Sequence, residues 1–174
     1  MTKEDVLRFT AEVGMLAVHC AEKDEVARML SLTAGWQRID DGRCRPIDCR
    51  PRCLYLIDLP SASGRDFVTP SEVGPALEMV GLRVACPEAG SALCAALHTD
   101  PALRVRLFGR HPPYDALPPA QVAILGALWV DPGKAQRMVH FCGRDVDPRF
   151  YMGNGADVAL LDGRWTVLAT PISP

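Results

Sequence analysis

The apolar positions of this chain change period several times, and each change predicts an element. Thr2 and Asp5 suit a helix N-cap with an acid at the third helical position. Val6, Phe9, Val13, Leu16 and Ala17 follow at helical spacing, which predicts a helix from about Lys3 to His19. A second helix, from about Lys23 to Thr33, would place Val26, Met29 and Leu30 on one face and stop at Ala34-Gly35. Trp36 to Ile39 and Arg43 to Ile47 flank Asp40-Asp41-Gly42, a hairpin signal. Cys53 to Leu59 is almost continuously apolar and reads as a buried strand.

Thr69-Pro70-Ser71-Glu72 opens the next helix, with Thr69 as N-cap, Pro70 at the first position and an acid in the first turn; it should end near Gly81. Leu82 to Cys86 then reads as a strand and Pro87 to His98 as a helix. Leu103 to Phe108 reads as a strand, because Leu103, Val105 and Leu107 alternate with Arg104 and Arg106. This β-α-β-α-β rhythm suits a parallel or a mixed sheet. Gly109 to Pro119, with four prolines, is a loop. Val122 to Val130 fits either a strand or a short buried helix. Ala135 to Cys142 fits a strand, and Gly153-Asn154-Gly155 a turn. Asp157 to Leu161 and Arg164 to Thr170 flank Asp162-Gly163, a type I′ hairpin signature. The expectation is an α+β fold: an N-terminal helical pair, a mixed sheet with two crossing helices, and a β-rich C-terminal third ending in a hairpin. Residues 1–174 would form one compact domain, with 109–119 as the candidate break.

Composition narrows the class. The 174 residues are 48% hydrophobic and 23% charged, which excludes a disordered chain and suffices for a core. A net charge of −2 and only 6% aromatics argue against nucleic acid as a partner. The N-terminus has no basic segment leading into an apolar one, and no apolar run reaches the ~18 residues of a membrane span. A cytoplasmic protein with reduced thiols and no cofactor is therefore expected. Sixteen arginines face three lysines. Either a GC-rich coding sequence or a use for guanidinium forks explains that bias.

The densest cluster of reactive groups is Cys44 to Cys53. Cys44, Cys49 and Cys53 are spaced by four and then three residues, which misses the C-x2-C knuckle of structural zinc. A fourth ligand would have to come from His19, Cys20, His140 or Cys142, so unpaired thiols are preferred to a metal. Arg43, Arg45, Arg50 and Arg52 run through the same segment, while Pro46 and Pro51 confine it to an edge or a loop. Such arginines either protect a sheet edge or accept the carboxylates of an acidic partner. Cys86, between a predicted strand and Pro87, would sit at a helix N-terminus, where the dipole favours thiolate; Glu88 works against it. His111 and His140 are the candidate bases, and His111, Asp115, His140 and Asp145 a candidate hydrolase set. Arg104, Arg106 and Arg110, with His111, form a second basic spot. His140-Phe141-Cys142-Gly143-Arg144 lacks the spacing of a phosphate-binding cysteine loop.

Phe67 to Glu72, with the helix and strand that follow, resembles the β-α-β rhythm of the SseB-type bacterial domain, over a minor part of the chain and without a diagnostic motif. Val130-Asp131-Pro132-Gly133 resembles one turn of dUTPase-like folds, whose glycine-rich and serine-containing motifs are absent. Neither resemblance assigns a family. The expected function is a small, soluble, non-catalytic protein-binding module, of adaptor, chaperone or inhibitor type. It would use Arg43, Arg45, Arg50 and Arg52 against an acidic protein surface. The alternative is a small cysteine- or histidine-dependent hydrolase or transferase with Cys86 as nucleophile.

Overall fold

The computed structural model describes residues 10–16, 30, 34–39, 52–58, 65–109, 121–154 and 160–172. They form an α+β fold. Ten strands are described: β1 Thr10–Leu16, β2 Gln37–Ile39, β3 Arg52–Ile57, β4 Phe67–Val68, β5 Leu82–Val84, β6 Gln121–Val130, β7 Gln136–Cys142, β8 Tyr151–Asn154, β9 Leu161–Asp162 and β10 Trp165–Pro171. Three helices accompany them: α1 Pro70–Glu78, α2 Pro87–Thr99 and α3 Pro101–Phe108. No helix among the described residues is long and apolar enough to cross a membrane.

The main sheet runs β1-β3-β10-β6-β7-β8, with β2 also paired to β6 and β5 to β10. It is mixed: β10 and β6 run parallel, and the other pairings are antiparallel. β4 and β9 form a separate two-stranded ribbon. Alternate side chains point to opposite faces of the sheet, and both faces are covered. On one face, Leu54, Ile124, Phe141 and Leu168 pack with Leu93 and Leu97 of α2 and Phe108 of α3. On the other, Ile57, Ala123, Met138 and Val167 pack with Val73 and Leu77 of α1 and with Leu161 of the ribbon. A strand buried on both faces needs no polar alternation. That is why Val122 to Trp129 is apolar throughout yet forms a strand rather than a helix.

Local signals place the helices. At α1 the Thr69 N–H and hydroxyl both donate to Glu72 Oε2 at 2.8 Å. Arg65 grips the same carboxylate at 2.9 Å. The Arg65 guanidinium first, then Thr69, holds the Glu72 carboxyl down at about 2. α2 starts at Cys86 as N-cap with Pro87 at the first position.

Several expectations are corrected. The first member of the predicted N-terminal helical pair is replaced over Thr10–Leu16 by β1, antiparallel to β3 with a register shift between Glu12 and Gly14. Gly14 weakens a helix there, and the long-range ladder wins over the helical spacing of the apolar residues. The second helix of the pair lies outside the described residues except for Leu30, which is buried. Leu103–Phe108 belongs to helix α3 rather than to a strand. Asp100 caps it by accepting from the Leu103 N–H at 3.0 Å, and Pro101 occupies the first position. Leu103, Leu107 and Phe108 then fall on one helical face toward the core. Of the predicted hairpin at 36–47, Gln37–Ile39 pairs with β6 and residues 40–51 lie outside the described set. The chain does turn at Gly163 and Arg164; β9 pairs with β4 and β10 joins the main sheet, while residues 157–159 of the predicted hairpin lie outside the described set. Gly153 and Asn154 lie in β8 rather than in a turn.

Candidate functional site

Asp100 sets the helical phase of α3, and that phase sends Arg104 toward the turn that follows β7. Arg104 Nη1 donates to the backbone carbonyls of Val146 at 3.3 Å and, at the limit of bonding distance, Asp145 at 3.5 Å. In the reverse direction, Arg144 Nε donates to the carbonyl of Phe108 at 3.2 Å, at the C-terminal end of α3. Each element thus lends one arginine to the other's backbone. A cation at a helix C-terminus also complements the partial negative charge there. Gly143 makes the approach possible: a Cβ at this position would fall 2.3 Å from the Phe108 ring.

Between the two elements lies an open pocket of about 200 Å³, lined by Arg104, Val105, Phe108, Gly109, Arg144 and Val146. None of these lining residues is acidic. The Asp145 carboxylate lies against the Cys142 thiol. Burial, and then that carboxylate, push the Cys142 thiol up, partly opposed by the backbone N–H of Arg144. The pocket therefore offers guanidinium groups over an apolar floor. Its chemistry suits a carboxylate or another planar oxyanion, which a guanidinium binds through paired N–H donors. Arg106, on the same helix, is exposed and does not line the pocket.

Cys86 is 4% exposed. It packs within the core on the α2 face of the sheet. His140 stands on β7 between Val139 and Phe141, which both point to that face, so its ring projects to the opposite one. There it meets Trp165 at a ring separation of 5.2 Å, Tyr151 at 5.8 Å and the Gln121 side chain at 3.0 Å from Nδ1. Burial lowers its pKa. The sheet thus stands between Cys86 and His140. Glu88 is held by Arg38 of β2 in a fork at 2.5 and 3.1 Å, with both side chains about nine-tenths buried. That pair fastens β2 to the first turn of α2.

Arg43, Arg45, Arg50, Cys44, Cys49, Arg110, His111, Asp115, His19 and Cys20 lie outside the described residues. Arg52 is placed as the first residue of β3, paired with Leu16. Cys53, Cys86, Cys94 and Cys142 form no disulfide, and no cluster of three metal-ligating side chains occurs among the described residues. Of the second basic spot, only Arg104 reaches the pocket among the described residues. In the sequence its partner Arg144 stands out only as the end of His140-Phe141-Cys142-Gly143-Arg144, which lacks the spacing of a phosphate-binding cysteine loop. The signal that could have found the site is Asp100-Pro101, which converts the stretch after it from a strand into a helix. Comparison with models of known protein families, with curated proteins and with solved structures finds no match to this chain.

Proposed function

We propose that this protein is a non-catalytic binding module that receives an acidic segment of a partner protein at the Arg104–Arg144 pocket. The observation that carries the reading is the reciprocal clamp: two guanidiniums, each positioned by a backbone carbonyl of the other's element, line one pocket in which none of the described lining residues is acidic. Pre-positioned arginines lose less side-chain entropy on meeting a carboxylate. The volume, about 200 Å³, falls short of the ~300–1,000 Å³ typical of small-molecule and cofactor sites. It accommodates one acidic side chain, as expected for a contact within a larger protein interface. A reducing, cytoplasmic setting completes the reading, supported by four described cysteines that form no disulfide.

The test is binding of a hexaglutamate peptide, with hexalysine as control. Arg104→Glu should abolish binding at low ionic strength, whereas Arg106→Glu, the same charge change on the exposed side of the same helix, should weaken it about two-fold at most. The Arg104 contacts are long and partly exposed, so the unfolding midpoint should move little. Equal loss in both variants would mean diffuse charge attraction and would remove the pocket from the account.

A further inference from the structure

The pocket is not lined by charge alone. Val105 follows Arg104 on α3, and Val146 follows closely after Arg144 in the turn, and both valines line the same pocket. Their exposures, 61% and 71%, are the largest among the exposed large hydrophobic residues described. Each element therefore presents one guanidinium and one uncovered aliphatic side chain to the same opening.

An exposed ion pair alone contributes little to binding, because water screens both partners. Apolar groups seated around such a pair exclude water and strengthen it, the arrangement found where interface residues dominate affinity. We infer that Val105 and Val146 are specificity-determining residues, and that the occupant is a peptide segment whose acidic residue is flanked by aliphatic side chains. The inference rests on the acidic-partner reading above and goes beyond it by naming the neighbours of the acid. Charge complementarity fixes the centre of the motif, and the two valines fix its flanks.

Two probes of equal charge separate the two levels. The peptides Ac-Gly-Leu-Glu-Leu-Gly-NH2 and Ac-Gly-Ser-Glu-Ser-Gly-NH2 are titrated into the full-length protein, followed by methyl shifts of Val105 and Val146 and by the arginine Nε–H signals. The leucine-flanked peptide should bind at least five-fold more tightly and shift both sets of signals. In the Val105→Ser/Val146→Ser double variant that advantage should vanish, the leucine-flanked peptide binding no more tightly than the serine-flanked one. Both valines are exposed, so the variant should fold, as its methyl spectrum will report. Equal affinity of the two peptides for the unaltered protein overturns the inference and leaves the arginine pocket standing. An advantage that survives in the double variant overturns it as well, placing the apolar contact elsewhere. Binding of neither peptide removes both this inference and the reading on which it rests.

Discussion

His140 shows how burial sets a single residue's response to pH. Its neighbours on the sheet face are Gln121, Tyr151 and Trp165, none of them carrying a charge that would favour the imidazolium. Burial therefore lowers its pKa below the ordinary 6.5. Above that value the ring is neutral in the folded and unfolded chains alike and gives stability no slope with pH. As pH falls through 6.5 the unfolded chain takes up its proton first, so stability declines, and it levels off once the folded form is also protonated. The carboxylates act in a different window. Asp131, Asp162 and Glu72 are held below their ordinary values of 3.8, 3.8 and 4.5, by a backbone N–H of Ala135, by Arg164 and by Arg65 respectively. Their contribution is complete above those values and is lost only as pH falls through the lower folded ones. Urea midpoints should thus be flat from pH 8 to 7 and fall as pH drops below about 6.5. His140→Gln should flatten that fall while leaving the acid limb below pH 4 in place. An undiminished fall in the variant would assign the slope to another group.

At the scale of elements, the junction where β5 passes into α2 is a tightly constrained point of the sheet. β10 pairs with β6 through Trp165–Val167 and then with β5 through Ala169–Pro171, while β6 shifts register between Ile124 and Leu128. Ala85 bridges the gap: its N–H donates to Leu168 O and its carbonyl accepts from Gly126 N–H, both at 2.9 Å. A Cβ on Gly126 would lie 2.4 Å from that carbonyl oxygen, and backbone on both sides cannot yield cheaply. Gly126→Ala should cost roughly 2–4 kcal/mol in urea unfolding, the range of severe overpacking. A loss below about 1 kcal/mol would show that the junction relaxes freely. None of this was legible in the sequence, where Gly126 interrupts an otherwise apolar run and its partner, Ala85, lies 41 residues upstream. Elements defined by their own ends were legible. Thr69-Pro70-Ser71-Glu72 announced α1, and Cys86-Pro87 announced α2. α3 was misread because Leu103, Val105 and Leu107 satisfy a period of two over a stretch too short to exclude a helical period, and only the Asp100-Pro101 cap arbitrates. The pocket inherited that error. With Arg104 assigned to a strand, nothing connected it to Arg144, which approaches only once α3 packs against the turn after β7.

For the whole molecule, the proline-rich segment at 109–119 separates elements along the chain without separating them in space. β1, β2, β3, β4 and β5 precede it, and β6 to β10 follow it. Yet β3 pairs with β10, β5 with β10, β2 with β6 and β4 with β9. Among the described strands before the segment, β1 and β3 alone pair with each other. Severing the halves would part β2, β4 and β5 from the strands with which they pair and would uncover one side of β3. It would also strip α2 and α3 from Ile124 and Phe141, the residues against which their apolar faces pack. A half-sheet with unpaired backbone donors and an uncovered apolar face lacks the burial that offsets chain entropy. Fragments 1–109 and 120–174, each diluted alone from denaturant, should therefore show no cooperative urea transition by circular dichroism. Mixed in equal amounts they should recover one, because the interleaved strands supply each other's missing edges. A cooperative transition from either fragment alone would mean that one half carries its own core, and the interleaved ladders would then join two units rather than build one.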